Sequence, residues 1–126
     1  MNDTVGNGSE KPDLYAAIGG APTVEAVVDE LYRRLSGDPF VQHHFQPERL
    51  ATLKAAQREW FTEALSGAKE LPKDLASAHS GLKISDEEVA AVLGHLEDIL
   101  NGAPLSPRIR RAVLALVSRL WYARQF

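Results

Sequence analysis

Between Thr23 and Leu35 the side chains Val24, Val27, Val28, Leu31, Tyr32 and Leu35 recur at i, i+3, i+4, i+7, i+8 and i+11. That spacing lines one face of an α-helix, whereas a half-buried strand would need alternation every second residue. The rhythm returns in Leu50, Leu53, Gln57, Trp60, Phe61 and Leu65, then in Val89, Val92, Leu93, Leu96, Ile99 and Leu100, and last in Ile109, Val113, Leu116, Val117, Leu120 and Trp121. Nothing in the chain reads as a strand, so the expected class is all-α.

The punctuation agrees with the periods. "DLYAAIGG" predicts a short helix with Leu14 and Ile18 inward, stopped at Gly19 and Gly20. "SGDP" ends the second helix and Pro47 opens the third, which stops at "SGAK". Ser85 and Glu88 form an S-x-x-E capping box, "NGAP" ends the helix that follows, and Ser106 with Pro107 suits the start of the last one. Residues 66–74 read as loop, and residues 1–12, polar and rich in Gly, Asn and Ser, as a flexible extension before one domain over 13–126.

Composition removes several classes of function. A net charge of −3 argues against a nucleic-acid binder, which would show a basic stripe. The absence of cysteine excludes disulfides, thiolate coordination of zinc or iron, thioether-linked haem and a cysteine nucleophile. "MNDTVGNGSEKPD" has neither a basic nor an apolar leader region and no apolar run is long enough for a membrane span, so the expected location is cytoplasmic.

Three residues break the apolar pattern. Gln57 sits near the middle of its helix's stripe, where an unpaired amide costs about 1–3 kcal/mol. Tyr32 lies at the edge of its stripe, so its ring can be buried while its hydroxyl needs a partner. Either the two bond each other or backbone carbonyls, or they face a shared ligand. His79, in "LASAHSGLKIS", shares a helical face with Leu75 and Leu82, which leaves packing, phosphoacceptor and metal ligand as its roles. The other histidines read differently: His43 and His44 as solvent-exposed corner residues, His95 as a flank residue. None of the three has the local carboxylate or i+4 histidine of a zinc site.

Read in order, "LYAAIGG", "VVDELYRRLSGDPFVQHHF", "LKAAQREWFTEALSG" and "AHSGLKIS" resemble the first group of the truncated haemoglobins, over about Leu14 to Leu120. The resemblance implies a truncated globin fold, a two-over-two helical sandwich around non-covalent haem b. It gives His79 the axial iron ligand through Nε2, Phe45 the ring packed flat on the haem, Tyr32 the donor to bound dioxygen and Gln57 its support. Leu53, Lys54, Trp60, Phe61, Leu82, Ile84 and Val92 fall at cofactor-contacting positions. Leu53 stands where a vertebrate globin has histidine, Phe61 at the mouth of an apolar gas tunnel, and Lys54 or Arg58 within reach of a propionate. Ala56, where some relatives carry an iron-binding histidine, argues against coordination by two histidines. The loop "SGAKELPKD" departs from the family in lacking a second Gly-Gly.

The implied ligands are dioxygen, NO and CO, and the implied activity is nitric oxide dioxygenation, with oxygen transport, ligand sensing or peroxidase-like chemistry as alternatives. The sequence holds no flavin or nicotinamide motif, so a separate electron-donor reductase is expected. A reading from another class is a histidine phosphotransfer bundle, since "AHSGLK" distantly resembles that motif. Gly81 and the Ser85 cap leave only a short helix there, however, and that reading gives Gln57 no purpose.

Overall fold

The computed structural model describes residues 13–67 and 84–124. The 1–12 extension, most of the loop at 66–74, His79 and Leu82 therefore lie outside the described residues. Five α-helices account for most of the rest: α1 (Leu14–Ile18), α2 (Ala21–Ser36), α3 (Leu50–Leu65), α4 (Asp86–Asn101) and α5 (Pro107–Tyr122). Two 3₁₀ turns, Gln42–His44 and Pro47–Arg49, form the corner between α2 and α3.

Local chemistry sets the boundaries. Gly19 closes α1 at φ 114°, a left-handed conformation that spares glycine alone the Cβ penalty, and its N–H reaches the carbonyls of Tyr15 and Ala16. A side chain there would also strike the Thr23 hydroxyl. The second helix starts at Ala21, three residues ahead of Val24, the first of the apolar stripe, because Pro22 fits a first turn that has no use for its missing N–H. The expected capping box is formed: Ser85 Oγ accepts from Glu88 N at 3.1 Å, and Glu88 Oε1 accepts from Ser85 N at 2.9 Å. Ser106 caps α5 in the same way, accepting from Ile109 N.

Helix α2 packs against both α3 and α4, and α4 packs against α5, so two helix pairs are stacked through α2. This is the two-over-two sandwich. Short α1 plugs one end, touching α2, α3 and α5. The buried core is drawn from every stripe, with Val28, Leu31, Leu53, Trp60, Leu96 and Val117 fully enclosed. Val92, Leu93, Ile99, Ile109 and Leu116, read from the stripes as inward, are only half-buried. No described helix is long and apolar enough to cross a membrane.

Candidate functional site

A pocket with about 440 Å³ of empty space, part of it open to solvent, lies where the two pairs and the corner meet. Leu31, Tyr32 and Leu35 enter it from α2, Phe45 from the corner and Gln57 from α3. Ile84, Val89 and Val92 enter from α4 and the residues before it, and Trp121 from α5. Seven of these nine lining residues are apolar, and the two polar ones are the pattern-breaking Tyr32 and Gln57. The half-burial of Val92 and Ile84 has its reason here, since both face the pocket.

Tyr32 and Gln57 do not bond each other. The Gln57 carboxamide oxygen is buried without any hydrogen-bond partner among the described residues. Such an orphan costs about 1–3 kcal/mol and is tolerated where something else completes it. The Tyr32 ring meets Phe45 edge-on, with centroids 5.5 Å apart. Burial pushes the Tyr32 phenol well above its ordinary range, so at neutral pH it keeps its proton and acts as a donor.

The remaining predicted residues fall elsewhere. Leu53 and Trp60 are fully buried in the core and Phe61 nearly so, and none of the three lines the pocket. Trp60, Phe61 and Trp121 form one aromatic cluster, the Phe61 and Trp121 centroids being 6.0 Å apart. Phe61 lines a second, wholly apolar space of about 240 Å³, part of it open to solvent, with Ile18, Val24, Val27, Leu65, Leu96, Leu100 and Val113. The Lys54 ammonium sits 2.9 Å from Asp29, with Arg58 at 3.7 Å from the same oxygen. Leu31, Leu35, Val89 and Trp121 line the pocket although the sequence marked them only as core. Their sole signal was membership of a stripe, which does not separate packing from lining.

One histidine expectation is corrected. His44 is buried rather than exposed, its Nε2 lying 2.9 Å from Glu88 Oε2. His95, on the flank of α4, is held 2.8 Å from Asp38 Oδ2. His43, His44 and His95 each face a carboxylate supplied by a distant part of the chain.

The Bacterial-like globin family model matches residues 13–125. A group 1 truncated hemoglobin of Nostoc sp. is 30% identical over 112 residues, covering 85% of this chain and 92% of the relative. The chain belongs to the group 1 truncated haemoglobins. Group 1 truncated hemoglobin LI410 of Chlamydomonas moewusii is 32% identical over 108 residues, 83% of this chain, which spans 63% of that longer relative. Among solved structures, the hemoglobin of Chloroflexus aurantiacus superposes with a TM-score of 0.72 at 25% identity, over 90% of this chain and 97% of that one. The ferric truncated hemoglobin of Tetrahymena pyriformis gives 0.74 at 19% identity, over 88% and 96%. This truncated haemoglobin thus keeps the family sandwich, and Tyr32, Phe45, Gln57, Ile84 and Val92 converge on one pocket.

Proposed function

We propose that this truncated haemoglobin binds haem b non-covalently in the Tyr32/Gln57 pocket, takes diatomic ligands at ferrous iron and acts as a nitric oxide dioxygenase. The observation that carries the reading is the Gln57 carboxamide oxygen, buried without a partner at a pocket otherwise lined by apolar groups and one protonated phenol. An apolar lining with two convergent polar groups suits a flat, mostly apolar prosthetic group whose ligand is polar. A solved hemoglobin of Synechococcus with the same fold carries covalently attached heme; this chain matches it at 24% identity and a TM-score of 0.69.

When bound, haem supplies an iron that takes dioxygen, NO or CO, and with dioxygen and NO together yields nitrate at the expense of one electron. The chain's own residues do the rest. Phe45, Ile84, Val89, Val92 and Trp121 give the pocket its apolar walls. Tyr32 holds a proton on its hydroxyl for an electron-rich acceptor, and the Gln57 carboxamide is the second polar group that supports the ligand there. His79, placed between α3 and α4 in the sequence, is the residue we assign to the iron through Nε2, and Leu82 is assigned to the haem contact; both rest on the family resemblance. A separate reductase returns the electron.

Absorption spectra of the purified full chain in ferric, ferrous and CO-bound forms test the haem. Protein that purifies without haem and takes up none when it is added overturns the whole reading. The dioxygenase step is tested separately, by NO consumption over many cycles with an added reductase system.

A further inference from the structure

Outside the pocket, three side chains converge on a single point. His43 and His44, neighbours in the 3₁₀ turn of the corner, bring their rings to a centroid separation of 4.0 Å. Both Nε2 atoms face the same oxygen of Glu88, His44 at 2.9 Å and His43 at 3.4 Å from Oε2. The three ligand atoms all lie within 4.8 Å of one another. The other Glu88 oxygen is occupied, accepting the Ser85 N–H in the capping box. The start of α4 therefore fixes the carboxylate and leaves Oε2 turned to the imidazoles.

We propose that His43, His44 and Glu88 form a three-ligand site for a divalent first-row transition ion of the zinc type. Two ligand atoms at about 2.0–2.1 Å from a tetrahedral ion are separated by about 3.3–3.4 Å. The His43 to Glu88 distance of 3.4 Å already meets that. The His44 to Glu88 distance of 2.9 Å has to open by about half an ångström, from hydrogen bond to shared ion. Two imidazoles and one carboxylate suit zinc, nickel or copper(II) and not calcium or magnesium, which take oxygen shells. His43 stays well exposed, with 59% of its side chain accessible, so the fourth position opens to water.

A simple buried ion pair accounts for His44, which needs a partner once it leaves water. It does not account for His43, which has solvent at hand and still directs Nε2 at the same oxygen. The site also adjoins the pocket: Phe45 follows His44, Val89 follows Glu88, and both line the pocket. An ion at this point ties the corner to α4 across one of its walls. The proposal does not depend on haem.

The test is calorimetric titration of zinc chloride into the full chain as purified, with zinc-edge X-ray absorption on the loaded protein. One ion should bind per chain with two imidazoles in its shell. His43→Ala and Glu88→Gln should each weaken binding about tenfold or more, about 1.4 kcal/mol. Both variants keep the fold, because His43 is exposed and glutamine also serves the capping box. His95→Ala, on the far pairing with Asp38, should bind zinc as the parent does. No saturable binding, a shell without two imidazoles, unchanged affinity in His43→Ala, or loss of binding in His95→Ala would each overturn the site.

Discussion

Tyr32 and Gln57 share a pocket without satisfying each other, which makes them separable by mutation. Bound dioxygen carries partial negative charge, and a hydrogen bond to a charged acceptor is worth about 1.5–3 kcal/mol, against almost nothing for weakly polar CO. Tyr32→Phe should therefore speed dioxygen release by about one to two orders of magnitude, at about 1.4 kcal/mol per tenfold, and CO release far less. Flash photolysis and stopped-flow mixing of both ligands check this, and equal effects would mean that Tyr32 acts by packing. Gln57→Val should change dioxygen release in the same direction and by less, since its amide supports the ligand without being the main donor. His79→Gly should lose haem or accept free imidazole in its place, and an unchanged CO spectrum would remove His79 from the iron. At this scale the sequence was informative about polarity and silent about partners. Gln57 stood out because an amide interrupts an apolar stripe, whereas the burial of His44 depends on a carboxylate 44 residues away.

Between elements, the corner is anchored by Asp38, just past the end of α2. Its carboxylate receives the Phe40 N–H at 3.0 Å and faces His95 Nε2 on α4 at 2.8 Å. The His95 bond first, and the Phe40 N–H next, hold the Asp38 carboxyl below its usual range. A depressed folded value means that this stabilisation is complete above the unfolded carboxylate's ordinary value, near 4, and is lost as pH falls through the lower folded value. Asp38→Asn should thus unfold at a lower denaturant concentration than the parent at neutral pH. The gap should narrow only below about pH 4. A gap that holds its size far into acid would mean that shape, and not charge, fixes the corner. Helices α2 to α5 were legible because each carries its own period, and several ends are marked in the sequence, by Gly19, Pro22, the Ser85–Glu88 box and Ser106. Their assembly was not: the stripes that hold Leu35 and Trp121 read as core, and only the packing of α2, α4 and α5 leaves a gap that turns them into pocket wall.

At the scale of the whole molecule, two spaces lined by described residues flank an aromatic cluster. Trp121 lines the Tyr32/Gln57 pocket, Phe61 lines the smaller apolar cavity, and their rings stand 6.0 Å apart. A carrier needs only one space, because its single ligand enters and leaves. On the dioxygenase reading proposed above, dioxygen is retained while a second small apolar reactant arrives, and the apolar space walled by Ile18, Val24, Leu65 and Val113 is the proposed route for NO. Phe61→Trp fills part of that cavity at the cost of some overpacking, about 1–3 kcal/mol. It should slow the reaction of the oxygenated protein with NO while leaving dioxygen release unchanged, as followed by stopped-flow mixing with nitrate measured as product. Since free NO attacks many oxygenated haem proteins, the stricter measure is turnover: with a reductase system the parent should consume NO over many cycles, and Phe61→Trp more slowly. If the variant matches the parent, the cavity is no route for NO. If no reductant sustains more than one cycle, the dioxygenase reading falls and reversible ligand binding remains.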